Sequence, residues 1–189
     1  MSTELTSIAE QNKIRNACIE GLLLKISNGD SEAIGELYDL IKTDVFAFAL
    51  SKLASKSDAE DVTQDTFVQI YKYATQYKPK GKPMAWIITI ELNLIRRFIQ
   101  LKSRSVSIET SQINEQEQDD FEQRIVNDAF LNDLMQTLNE EEREIIILYV
   151  VSGLKHREIA QILEKPLATV LSKYSRALKK LKEIAKEVR

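Results

Sequence analysis

The sequence predicts an all-α protein built from two small helical domains. Three observations support this fold class: only 5 Gly and 3 Pro occur in 189 residues, 43% of the residues are hydrophobic, and these recur at helical spacing. Between the two periodic parts lies a segment rich in Ser, Gln, Asn and Glu, which is typical of a flexible connector. We therefore expect a first domain at residues 1–102, a flexible linker at 103–121 and a second domain at 122–189.

Helix start and stop signals divide the first domain. Gly29-Asp30-Ser31 is expected to end one helix and cap the next, and Ser57 with Glu60 fits a capping box. Pro83 fits the first turn of a later helix. In that helix the predicted buried stripe is Ile87, Ile90, Leu94, Phe98 and Leu101, and the opposite face is Thr89, Asn93, Arg96 and Gln100.

The second domain also has a helical pattern. Its first helix is expected from apolar residues at helical spacing: Phe130, Leu131, Leu134, Met135 and Leu138. Asn139 and Glu142 fit another capping box, and this capped start favours a buried helix over a strand for the apolar run at 145–151.

Two short helical patterns near the carboxyl end are separated by Pro166. Proline forbids continuation of the first helix, so the pair predicts a helix-turn-helix whose second helix fits the major groove of duplex DNA. Opposite the buried stripe, five side chains share one face and offer hydrogen-bond donors and positive charge: Thr169, Ser172, Lys173, Arg176 and Lys180. A solvated helical hairpin is the simpler alternative.

The charge is unevenly distributed. The net charge is -3, yet residues 71–104 carry eight Lys or Arg against one acidic residue, and residues 171–189 carry seven against two. Because attraction to phosphate depends on local charge, two basic patches in an acidic chain indicate DNA contacts at two places.

Other classes of protein fit poorly. One Cys and one His cannot form a disulfide framework and make a zinc site improbable, so we expect no metal and no cofactor. The sequence contains no cluster of a nucleophile, a base and an orienting group. This argues against an enzyme, and we predict no catalytic residue. No signal peptide and no span of membrane length is visible, which indicates a cytoplasmic protein without membrane insertion.

Three segments resemble one known family. GLKHREIAQILEKPLATVLSKYSRALKKL (153–181) resembles region 4 of bacterial RNA polymerase sigma factors, whereas DAEDVTQDTFVQIYKY (58–73) and AWIITIELN (85–93) resemble region 2. With only a linker between the two regions, the resemblance is to the extracytoplasmic-function (ECF) group of the sigma-70 family. The resemblance covers about residues 19 to 183. It is specific because both regions are found, in the family's order and at the usual spacing, whereas a helix-turn-helix alone occurs in many families.

The resemblance implies partners and site residues. Core RNA polymerase would be bound through its largest-subunit clamp coiled coil and its flap; the residues implied at the coiled coil are Asp58, Asp61, Gln64 and Asp65. The promoter minus-ten element would be held as single strand by Tyr77, Lys78, Lys80, Lys82, Asn93, Arg96 and Arg97. In this family Ser172, Lys173 and Arg176 match positions that contact the minus-35 element, and Thr169 would bond phosphate. The resemblance also implies an anti-sigma partner.

Several residues depart from the family pattern at positions that affect which promoter sequence is preferred. Leu171 stands where Arg or Lys is typical, Lys173 where Arg is typical, and Glu164 where Gly or Asn often makes the turn. Trp86 is interpreted as a core residue, with base stacking as the alternative. A different function class stays open: a helix-turn-helix regulator that binds duplex DNA as a dimer without polymerase.

Overall fold

The protein is described by a computed structural model that covers residues 2–53, 55–106 and 137–187. The four helices of its first part are α1 (Ser2–Ser27), α2 (Ala33–Lys52), α3 (Lys56–Tyr73) and α4 (Pro83–Val106), with a 3-10 turn at Ala74–Gln76. The helices that follow are α5 (Glu140–Ile146), α6 (His156–Ile162) and α7 (Leu167–Glu187), with a π-helical turn at Ile147–Val151. This all-helical architecture confirms the predicted fold class.

Side chains of nearby residues cap the starts of α2, α3 and α5. The Asp30 carboxylate accepts hydrogen bonds from the backbone N–H of Glu32 and Ala33 at 3.1 and 3.3 Å, and Asn139 and Glu142 form the predicted capping box. The predicted cap at Ser57 is wrong. Ser55 caps α3 instead, because its hydroxyl accepts from the backbone N–H of Asp58.

The buried face of α4 differs from the predicted stripe. Leu101 is 54% exposed, whereas Glu91 is fully buried. The buried residues repeat at helical spacing as Met84, Ile87, Ile88, Glu91, Leu92 and Ile95. The buried face of α4 therefore includes Glu91, a residue that its charge would place in solvent.

One hydrophobic core runs through both parts of the described chain. Leu148, Leu154 and Ile159 of the second part pack in the same cluster as the buried residues of α1 to α4. Arg15 on α1 donates to the Val151 carbonyl at 3.4 Å and lies 2.7 Å from Asp44 on α2. The helix-turn-helix therefore packs against the first four helices.

Some predictions lie wholly or partly outside the described residues. Residues 103–106 of the predicted linker continue α4, and the remainder of that linker lies outside the described ranges. The helix predicted around Phe130 and Met135 lies outside them too, so the domain limits stay a prediction. Each helix within residues 2–53, 55–106 and 137–187 lacks either the length or the apolar character that a membrane span requires.

Candidate nucleic-acid interface

The turn between α6 and α7 sets the direction of the recognition helix. Glu164 adopts a left-handed conformation with φ of 55°, and the Lys165 N–H donates to the Ala160 carbonyl at 3.0 Å. Helix α7 then begins at Leu167 and buries Val170 and Ala177 completely. Two helices joined by a short turn, with the second anchored on its apolar face, form the predicted helix-turn-helix.

The outward face of α7 differs in part from the prediction. Ser172 and Arg176 are exposed, with the guanidinium Nη2 donating to the Ser172 hydroxyl at 3.4 Å, and Thr169 is partly exposed. The face also includes residues that the charge pattern did not single out: Ala168, Leu171, Ser175 and Lys179. It is therefore less cationic than the sequence predicts.

Lys173 and Lys180 point toward α5 instead of outward. Lys173 and Lys165 both pair with Glu141, and Lys180 lies 2.6 Å from Glu142. Hydrogen bonds from Lys165 and Lys173 lower the pKa of Glu141 to about 2. Lys173 is 19% exposed and shares Glu141 with Lys165, whereas the Lys180 side chain keeps 42% exposure beside Glu142. The carboxylates therefore compensate part of the lysine charge, and DNA contact by Lys173 and Lys180 stays a prediction.

A groove lies between α3 and α4, and we name it the α3–α4 groove. It has a volume of about 370 Å³. Its lining includes two aromatic rings, three amides and one guanidinium: Tyr73, Trp86, Gln69, Gln76, Asn93 and Arg97. Such a set can stack on an unpaired base, bond its polar edge and neutralise phosphate. Only Asn93 and Arg97 of this lining were among the predicted minus-ten residues.

Tyr77 does not occupy the place predicted for it. Its ring is buried and lies 5.2 Å from the ring of Trp86, and its hydroxyl donates to Glu20 at 2.6 Å. Burial, together with this hydrogen bond, raises the pKa of the Tyr77 hydroxyl. Tyr77 therefore supports the groove from beneath, while Tyr73, 45% exposed, presents a ring that a base can reach.

Glu20 was missed by sequence reasoning. Its carboxylate accepts from the Tyr77 hydroxyl and also from the Gly81 N–H at 3.0 Å, across about 60 residues of sequence. These two bonds hold both ends of the loop that carries the exposed Lys78 and Lys80. No local pattern could have revealed this, because Glu20 lies inside an ordinary helix.

The other predicted minus-ten residues lie at a second groove, between α4 and α6, which we name the α4–α6 groove. Lys82 lies 3.3 Å from Glu158, and Arg96 lies 3.1 Å from Glu164. Asn93 and the half-buried Trp86 line this groove too, which has a volume of about 320 Å³. Trp86 therefore packs partly on the core, as predicted, and partly faces both grooves.

The outer face of α3 carries the residues implied for polymerase binding. Asp61, Gln64 and Asp65 are exposed, whereas Asp58 is partly exposed and lies 2.5 Å from Lys102. Val68 and Tyr71, 47% and 50% exposed, lie on the same helix. Acidic, amide and apolar side chains together offer a binding surface for a protein that carries both basic and apolar groups.

These features define a class of protein. A helix-turn-helix and a groove lined by aromatic rings, amides and an arginine, on one all-helical chain, are typical of a transcription factor that binds both paired and unpaired DNA. In the described part of the chain, no group of three or more His, Cys, Asp or Glu side chains is placed to hold a metal ion.

Family comparison identifies the class more closely. Residues 37–105 match the model for Sigma-70 region 2, and residues 131–181 match the model for Sigma-70, region 4. The chain belongs to the sigma-70 family of RNA polymerase sigma factors, and its curated relatives place it in the ECF group.

Two relatives and one solved structure illustrate the likeness. The ECF sigma factor SigK of Mycobacterium sp. (strain KMS) is 27% identical, with 87% of this chain and 89% of SigK covered. BldN of Streptomyces coelicolor is 25% identical over 85% of this chain, which spans 63% of BldN's length. The sigma factor RpoE of Bartonella quintana, solved with the anti-sigma factor NepR, is 25% identical with a TM-score of 0.60, covering 82% and 98% of the two chains.

Proposed function

We propose that this sigma factor binds core RNA polymerase and directs it to promoters by recognising a minus-ten and a minus-35 element. The observation that carries the proposal is the presence of two different DNA-competent surfaces on one chain, in the order of sigma regions 2 and 4. The chain supplies recognition and the polymerase supplies catalysis, so the role is regulatory and non-catalytic. We place the protein in the bacterial cytoplasm, where core RNA polymerase and promoter DNA occur.

Minus-ten recognition is assigned to the α3–α4 groove and the adjoining loop. Tyr73 and one side of Trp86 would stack on unpaired bases, each contact contributing about 1–3 kcal/mol. Asn93 would bond a base edge, and Arg97 with Lys78 and Lys80 would contact phosphate. This assignment replaces Tyr77 by Tyr73, because Tyr77 is buried beneath the groove.

Minus-35 recognition is assigned to the outward face of α7. Arg176 has the donor geometry for a guanine edge, Ser172 can bond a base or a phosphate, and Thr169 lies at the helix start where phosphate contacts are expected. Lys173 and Lys180 contribute to this surface only after release from Glu141 and Glu142.

Polymerase binding is assigned to the outer face of α3, with Asp61, Gln64 and Asp65 meeting a basic partner surface on the clamp coiled coil. Val68 and Tyr71 would add apolar contact beside these polar groups. A second contact, between the helix-turn-helix domain and the polymerase flap, follows from family membership.

Lys82 and Arg96 are paired with Glu158 and Glu164 across the α4–α6 groove. The minus-ten strand would use these two cations in addition only if its phosphates replaced those carboxylates. Because RpoE was solved with an anti-sigma factor, we propose that this chain too has a protein antagonist.

The test is transcription in vitro with bacterial core enzyme on a promoter library. Arg176→Ala should weaken minus-35 use while leaving core binding intact, and Asp61→Ala should weaken core binding first. Lys25→Ala and Glu10→Ala, which remove exposed charges on α1, are the matched controls. If the chain never associates with core enzyme yet binds a palindromic duplex as a dimer, the alternative of a polymerase-independent regulator replaces the proposal.

A further inference from the structure

Leu171 is an apolar side chain where a DNA-reading helix is expected to be polar. It lies in the second turn of α7 and is 45% exposed. The apolar face of this helix is already filled by Val170 and Ala177, both fully buried, so Leu171 adds little to the core. An exposed leucine on a helix otherwise suited to bind DNA needs a reason other than folding.

The neighbours of Leu171 are small. Ala168 lies one turn before it and Ser175 one turn after it, and all three are exposed. Lys173, two residues on, is turned away toward Glu141 and is 19% exposed. The first two turns of α7 therefore offer a shallow, uncharged and partly apolar edge beside Ser172.

The chemistry of the major groove leaves one partner for such an edge. Guanine, adenine and cytosine present hydrogen-bonding atoms there, and thymine adds the C5-methyl group, which is apolar. A leucine against a donor or acceptor atom strips water from it and returns no hydrogen bond, which is unfavourable. A leucine against a methyl group removes apolar surface from water on both sides.

We infer that Leu171 is a specificity-determining residue that contacts a thymine methyl group in the minus-35 element, with Ala168 and Ser175 allowing the close approach. This inference rests on the proposed function, since it requires α7 to enter the major groove of a promoter. It names a base preference at a position where Arg or Lys, typical of the family, would favour guanine.

The test uses holoenzyme assembled from this chain and core polymerase. Selection from a randomised library first defines the minus-35 element. Each thymine in it, on either strand, is then replaced singly by deoxyuridine, which differs only by the missing methyl group. At one thymine the substitution should lower promoter affinity about four-fold, the effect of one buried methyl-sized group.

Variants connect the methyl effect to the side chain. Leu171→Ala should abolish the difference between thymine and deoxyuridine at that position, and Leu171→Arg should shift the preference there to guanine by about five-fold or more. Leu24→Ala, the same change at a 39% exposed site on α1, should keep the full methyl effect. Because Leu171 is 45% exposed, the Leu171→Ala and Leu171→Arg variants are expected to fold like the wild type.

Three outcomes overturn the inference. Indifference to every deoxyuridine, in a holoenzyme that still needs its minus-35 element, would refute the methyl contact and leave the proposed function standing. A methyl effect that persists in Leu171→Ala would assign the contact to another residue. Transcription that needs no minus-35 element at all would refute both the inference and the proposed role of α7.

Discussion

Replacing Lys52 by methionine is expected to destabilise the packing of the helix-turn-helix domain against the first four helices. Lys52 ends α2, and its ammonium lies 2.9 Å from the carboxylate of Glu144 on α5. Glu144 is only 2% exposed, and burial raises its pKa even with Lys52 beside it. Without Lys52, the buried Glu144 carboxylate has lost its nearest cation. It must then take up a proton, or the helix-turn-helix domain must move away from the first four helices so that water reaches the carboxylate.

The magnitude follows from the burial of the pair. Removing one partner of a buried ion pair costs about 3–5 kcal/mol, and we expect the lower end because the domains can open and hydrate Glu144. With a urea m-value of about 2 kcal/mol/M, a loss of about 3 kcal/mol lowers the unfolding midpoint by about 1.5 M. Trp86 is the single tryptophan and lines the α4–α6 groove, so a red shift of its emission would report opening.

The pH dependence has a definite sign. A carboxyl whose pKa is higher in the folded than in the unfolded chain favours folding when protonated, and this stability is lost as the pH rises through the folded pKa. The deficit of Lys52→Met relative to the wild type should therefore shrink as the pH is lowered from about 8 towards about 5.5.

The controls separate burial from charge. Glu140 lies 3.6 Å from Lys52 but is 68% exposed, so Glu140→Gln should change stability by less than about 0.5 kcal/mol. The double variant Lys52→Met/Glu144→Gln should recover most of the loss, since no buried charge remains. An unchanged urea midpoint and an unshifted Trp86 emission in Lys52→Met would refute the packing of the two parts against each other.

Three further outcomes are expected. Glu91→Gln should be at least as stable as wild type at about pH 8 and should flatten the fall of stability with rising pH, because burial raises the Glu91 pKa; urea titrations across pH check this. Tyr77→Phe should lose about 1–2 kcal/mol with the hydrogen bond to Glu20, yet leave minus-ten strand binding by holoenzyme unchanged; weaker strand binding at unchanged stability would contradict the supporting role. Glu141→Gln should lower the free energy of unfolding by less than about 1 kcal/mol. Because Lys173 is then free to contact a phosphate, the slope of log binding constant against log salt concentration should become more negative by about 0.9. An unchanged slope would show that Lys173 does not contact DNA.

Local signals in the sequence predicted the helices and their turns well. Asp30, Asn139 and Glu142 cap through contacts within three residues, so spacing alone identifies them. Ser57 failed as a cap because Ser55 offers the same hydroxyl two residues earlier. Helix α3 begins at Lys56, so Ser55 and not Ser57 holds the N-cap position.

Long-range pairing explains what the sequence could not predict about the site. Lys173 looks like a DNA contact on a helical wheel until α5 brings Glu141 against it. Tyr77 looks like a stacking ring until α1 brings Glu20 to its hydroxyl. Glu91 shifted the predicted face of α4 because a carboxyl is normally placed in water, whereas here it is buried.

Glu164 combines two demands that normally exclude one another. A left-handed φ of 55° favours glycine, and a residue with a side chain is disfavoured there by about 1–2 kcal/mol. Glycine at this turn would relax the backbone but would leave Arg96 without the carboxylate 3.1 Å away. Glu164→Gly therefore exchanges an exposed ion pair between α4 and the turn before α7, which contributes about 0–1 kcal/mol, for relief of backbone strain. It is expected to give a chain that folds at least as readily and whose two parts separate more easily.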